Sequence, residues 1–200
     1  MTTARTIRQR ARDDFVREIR DIARRRLAQH GLQALSLRAV ARELGVTSSA
    51  LYRYFPGREA LVNALANDAH HNAADFVEHR VADCVPATPA VRWRTACHAL
   101  RAWAHEHPHE FALLYAPAPG ADGPDSSVPA ASRIPLLLAD ILTDHRDADT
   151  VPRMLTGWTQ LIGAIALETS GHLRDNDDGA FFSRSVDLMT ALLLPPPDVR

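Results

Sequence analysis

The stretch SLRAVARELGVTSSALYRYFPGREAL, residues 36–61, encodes two short helices joined by a glycine-centred turn. Leu37, Val40, Ala41 and Leu44 recur at i, i+3, i+4 and i+7, an apolar stripe about 100° wide that faces a core. Ser36 stands at the N-cap. Gly45 follows the last turn, where a left-handed backbone suits a residue without Cβ. Val46 then fills the angle between the helices. Thr47 can cap the second helix, in which Leu51 and Phe55 share the buried side. Ser48, Ser49, Tyr52 and Arg53 project elsewhere, with Ala50 in the same turn.

Small polar residues that lead a short helix suit the DNA major groove, whose base edges hydroxyl and guanidinium groups can reach. Tyr54 and Arg58 would then stand beside backbone phosphates. The competing reading is a plain helical hairpin in an all-α protein. The full set of features at this spacing favours the DNA reader.

The segment from Leu44 to Leu61 resembles the signature of Tet-repressor-type transcriptional regulators, in a head that covers roughly the first third of the chain. The resemblance implies an all-α homodimer with an N-terminal helix-turn-helix domain, residues 1–60, and a larger C-terminal ligand-binding and dimerisation domain, residues 61–200. It also implies that Arg38, Thr47, Ser48 and Ser49 approach bases while Tyr52, Tyr54 and Arg58 grip phosphates. Ser36, Ala50 and Arg53 complete the candidate DNA-binding set. The family usually has Lys where this chain has Arg58. All 23 basic residues here are Arg, so the exchange reads as a habit of composition, and either cation meets a phosphate.

Charge agrees with this polarity. The net charge of -1 conceals 13 Arg against 6 acidic residues in positions 1–60, and 10 Arg against 18 acidic residues in the remainder. Phosphate neutralisation favours the first part on a duplex and repels the second. Arg24–Arg26 read as a solvated helix face. Arg5, Arg8, Arg10 and Arg12 read either as an arm that touches DNA or as a disordered tail.

The 200 residues, 46% of them hydrophobic, can bury one substantial core or a small domain plus a larger one. Helices are expected over 13–30, 58–85, 90–107, a short stretch from 108 to near 116, 134–142, 151–173 and 181–194, with a long loop at 117–131. Phe15, Ile19, Ile22, Ala23 and Leu27 form the inward face of the first. The helix from Arg58 offers a lever between head and body.

The last two helices are the dimer candidates. Gly157 and Gly163 would admit a neighbouring helix, and Leu161, Ile165, Val186, Met189 and Leu193 would supply the apolar surface. The body segments HPHEFALLYAPAPG at 107–120 and GWTQLIGAIALETSGHL at 157–173 look like the C-terminal domain common among actinobacterial members of the family. Thr169 and Ser170 depart from the bulky apolar residues more usual there.

Trp103, His107, Phe111, Tyr115, Trp158, Leu161 and Ile162 are the candidate effector-binding residues, since their aromatic or apolar side chains can converge in a helical bundle. Glu168 lies within an apolar helix, with His172 at i+4 as the nearest available partner. His105, His107 and His109 alternate around a helix that Pro108 interrupts, which argues against a metal site. No cofactor is expected. The usual hydrolase, metalloprotease and nucleotide-binding motifs are missing, which argues against an enzyme.

Cys84 and Cys97 lack a Cys-x-x-Cys spacing, and no apolar run reaches bilayer length, so a cytoplasmic location without membrane insertion is expected. The sequence thus points to a ligand-responsive repressor of a near-palindromic operator, released by a small apolar effector. A DNA-binding regulator without small-molecule control is the alternative, ahead of a metal-responsive regulator or a small-molecule-binding enzyme.

Overall fold

The computed structural model describes residues 2–115, 133–142, 150–172 and 179–194, with the side chains of 2–5 and 150 left aside. The loop expected over 117–131 and the proline run at 195–197 lie outside these residues. Among the described residues the chain is all α, with nine helices and one 3-10 turn. They are α1 Thr2–His30, α2 Leu37–Leu44, α3 Ser48–Tyr52, α4 Arg58–Asp83, α5 Pro89–Glu106, α6 Pro108–Leu114, α7 Arg133–Leu142, α8 Thr150–Thr169 and α9 Ala180–Leu193, with the 3-10 turn at Leu32–Ala34. None of them is long and apolar enough to cross a membrane.

Local chemistry sets the ends of these helices. The Ser36 hydroxyl accepts from the Ala39 N–H at 3.2 Å and caps α2. Gly45, at φ 69°, ends the helix in the left-handed region. The N–H groups of Gly45 and Val46 then return to the carbonyls of Arg42 and Ala41, which satisfies two otherwise orphaned acceptors. Thr47 occupies the N-cap of α3, but its hydroxyl pairs with Ser49 Oγ at 3.0 Å instead of capping an N–H. Thr88 caps α5, and Pro108 opens α6 where its missing N–H costs nothing.

Two compact units form. The first gathers the described residues up to Ala69 together with His109–Tyr115, so it takes in the first part of α4 and most of α6 beyond residue 60. Its core joins Ile19, Ala23 and Leu27 of α1 to Val40 of α2, Leu51 and Phe55 around α3, Leu61 and Leu65 of α4, and Leu113 of α6. The second unit comprises His70–Pro108 and the described residues from Arg133 onward. There Trp93 and Leu100 of α5 are buried, as are Leu138 of α7, Leu161 and Ile165 of α8, and Phe182 and Val186 of α9.

Three expectations change. Helix α1 begins at Thr2, so the basic arm is helical and not a tail. Leu161, Ile165, Val186, Met189 and Leu193 are buried inside the single chain and cannot form an outer surface. Gly157 serves the same interior, because a Cβ there would lie 2.7 Å from Leu193 and 2.8 Å from Trp93. Gly163 does face open space. Exposed apolar side chains on these helices include Val151, Leu155 and Leu167 of α8 and Phe181, Leu188 and Leu192 of α9.

Candidate nucleic-acid interface

The interface follows from which head arginines are already neutralised. Arg17 meets Asp14 at 3.2 Å, Arg20 meets Asp68 at 3.2 Å, and Arg24 reaches both Asp21 at 3.0 Å and Asp68 at 3.5 Å. Arg25 and Arg26 share Glu43 at 3.5 and 3.3 Å. Among the described residues, Arg8, Arg10, Arg12, Arg38, Arg42 and Arg53 have no carboxylate partner, and all six are exposed. The uncompensated cations therefore lie on the start of α1, on α2 and after α3, the elements that carry the turn motif.

On this side Arg38, Thr47, Ser49 and Arg53 are exposed, Ser48 and Ala50 half-buried, and Tyr52 48% exposed despite its ring. The Leu51 and Phe55 anchors are buried, so α3 is held by one face and presents the other. Ser36 is half-buried and its oxygen is committed to the α2 cap. Tyr54 packs edge-on against Phe15 at 5.2 Å, with the Arg12 guanidinium 5.5 Å from its ring centre. Arg58 donates through Nε to Leu35 O at 3.0 Å and through Nη2 to Leu32 O at 2.8 Å, which ties the start of α4 to the 3-10 turn before α2. Its Nη1 remains for another acceptor.

The candidate effector residues divide between the units. Trp103, His107, Trp158, Leu161 and Ile162 belong to the second, and Phe111 and Tyr115 to the first. Trp103 is buried and lies 5.3 Å from the exposed His107 ring. Leu161 is fully buried, while Trp158 and Ile162 are half-buried. Phe111 is buried, with Tyr115 5.3 Å away and 40% exposed.

Glu168 does not use His172, which instead bonds Ser170 Oγ at 2.8 Å. Its side chain, only 4% exposed, accepts from Arg101 Nε at 2.7 Å and pairs with His105 Nε2 at 3.1 Å. A partner 67 positions away leaves no mark in local spacing. Burial pushes the Cys97 thiol up to about 12, which disfavours the thiolate.

Residues 19–65 match the family model for bacterial regulatory proteins of the tetR family, and residues 93–189 the model for the tetracyclin repressor-like C-terminal domain. The HTH-type transcriptional regulator Rv1816 of Mycobacterium tuberculosis is 32% identical over 93% of this chain and 95% of its own. The crystal structure of the regulatory protein SCO4313 matches at a TM-score of 0.72 with 30% identity, covering 94% of this chain and 98% of that one. BioQ of Mycobacterium smegmatis matches at 0.63 with 26% identity, over 88% and 95%. A BioQ structure with its double-stranded DNA operator shares the fold at 0.60 and 22% identity, over 86% of this chain and 96% of that one. With a helix-turn-helix head, an uncompensated basic side and relatives matched along nearly its whole length, this chain belongs to the tetR family of DNA-binding transcriptional regulators.

Proposed function

We propose that the chain is a ligand-responsive transcriptional repressor that binds a near-palindromic operator as a homodimer and leaves it when a small apolar effector enters the body. The carrying observation is the partition of the head arginines. Those on the distal part of α1 are spent on Asp and Glu, whereas Arg38, Arg42 and Arg53 beside α3 are not. In this reading Thr47, Ser48 and Ser49, with Arg38, meet base edges, and Tyr52, Tyr54 and Arg58 meet phosphates.

Dimerisation is supported by the outer face of α8 and α9. Gln160, Gly163, Ala164 and Leu167 run along α8, and Phe181, Ser185, Leu188 and Leu192 along α9, flanking an open, mainly apolar groove of about 460 Å³. Two such faces from two chains make a four-helix interface. Residues 1–60 would then read DNA and 61–200 take the effector and the second chain, in the cytoplasm. Helix α4, which contributes to both units, is one covalent route between them, and the chain passes between them again at Pro108–His109.

Hydroxyl-radical footprinting on the chain's own upstream intergenic DNA tests this. Two protected half-sites about 34 Å apart are expected. A single protected half-site would remove the homodimer. An effector should weaken the complex by a coupling of about 1 to 3 kcal/mol, and DNA should weaken effector binding equally. A molecule that fills the body without changing DNA affinity would remove the release step.

A further inference from the structure

The first turns of α1 form a site that the turn motif does not include. Arg8 and Arg12, at i and i+4, line one shallow groove with Ala11, Phe15 and Tyr54. Arg10 projects from another face of the helix. Two exposed guanidiniums four residues apart repel each other unless an anion lies between them. The two acids nearest in sequence do not supply it. Asp13 accepts from Gln9 at 2.9 Å, and Asp14 pairs with Arg17 at 3.2 Å. The Arg12 guanidinium instead rests 5.5 Å from the centre of the Tyr54 ring, which Phe15 supports edge-on at 5.2 Å. That ring ties the arm to the residues immediately after α3.

We propose that the groove of Arg8, Arg12 and Tyr54 takes a backbone phosphate of duplex DNA, outside the base pairs faced by α3. The inference rests on the DNA-binding reading of the head and extends its footprint to the start of α1. The site reads no sequence, since phosphate contacts position a protein and base edges specify. The arm therefore adds affinity and salt dependence equally on every duplex. Charge is the requirement, so Lys substitutes for Arg.

The test compares wild type, the double variant Arg8→Ala with Arg12→Ala, the corresponding double Lys variant, and Arg17→Ala. Fluorescence anisotropy across a salt series is run on the chain's own upstream DNA and on a scrambled duplex. The Ala pair is expected to lower the log–log salt slope by about 1 per head on both duplexes and to leave their affinity ratio unchanged. The Lys pair restores the slope, and Arg17→Ala, already paired with Asp14, retains it. A wild-type slope in the Ala pair overturns the proposal, as does an equal loss in Arg17→Ala. Equal wild-type affinity for the two duplexes would overturn the operator reading instead, while the slopes on either duplex still decide the arm. Circular dichroism of the Ala pair, whose substitutions favour helix, separates lost contact from a lost helix.

Discussion

The Arg58 guanidinium binds the Leu32 carbonyl at 2.8 Å, across the sequence interval that contains the whole of α2 and α3. A second bond, to Leu35 O at 3.0 Å, completes a brace that spans α2 and α3 in sequence. Arg58 therefore fixes the entry of α2, and in the proposed reading its charge also meets a phosphate. Arg58→Ala should lose both. Charge-assisted bonds at an exposed position contribute about 1 kcal/mol, so urea unfolding should show a drop of that size, with DNA affinity falling as well. Arg58→Lys should recover more of the affinity than of the stability, because Lys keeps the charge but cannot span both carbonyls. Equal recovery of the two would contradict the brace.

Arg101 and Glu168 make the corresponding tie in the second unit. Glu168 is almost wholly buried and its Oε1 has no partner among the described residues, so Arg101 carries the compensation for its charge while His105 Nε2 lies 3.1 Å from the same Oε2. Removing the Arg alone strands a buried carboxylate, an effect of about 3 kcal/mol. Arg101→Leu should accordingly destabilise strongly, and adding Glu168→Leu should return most of the loss. Chemical denaturation of the single and double variants measures this. A double variant less stable than Arg101→Leu would show that the pair is not the source of the cost.

Leu188 and Leu192 are 74% and 66% exposed, one turn apart on α9. Glu at either position costs a lone chain little, within about 0.5 kcal/mol, as for other surface substitutions. The same change desolvates a charge if a second chain covers the face. Leu188→Glu should halve the mass seen by light scattering while helical content stays constant, and DNA affinity should collapse with it. A variant with the wild-type mass would place the dimer contact elsewhere.

His70 and His98 are both held below the ordinary value of 6.5. Burial is the main cause for each, aided by the neighbouring His71 for His70 and by Arg101 for His98, against an opposing pull from Asp187. With the folded value lowered, the unfolded chain takes up protons first. Their contribution to stability is then present above 6.5 and is lost as pH falls toward the folded values. His70→Gln with His98→Gln should flatten the decline of the urea midpoint between about pH 7.5 and 5. An unchanged decline would assign it to other groups.

The turn motif was legible because its determinants are local. Ser36, Gly45 and the Leu37–Leu44 stripe specify their own helix and its end within a few residues. The start of α1 was not legible, since residues 2–12 carry good helix formers in Ala, Gln and Arg but no apolar stripe to announce a buried face. In α8 and α9 the difficulty was the reverse. Leu161 and Leu167, like Val186 and Leu188, are all apolar, so periodicity shows a helix without saying which face is inward. Packing against Trp93 decides it at Gly157. Partners such as Glu168 and Arg101, or Arg58 and Leu32, meet only once the chain has folded, and the spacing of either residue alone does not disclose them.

Sequence-selective DNA reading by the α2–α3 head is decided by fluorescence anisotropy on the chain's own upstream intergenic DNA and a scrambled duplex, across a salt series. Saturable binding that favours the upstream DNA at every salt concentration is expected, with a steep salt slope on both duplexes. Equal affinity for the two duplexes throughout the series would contradict it.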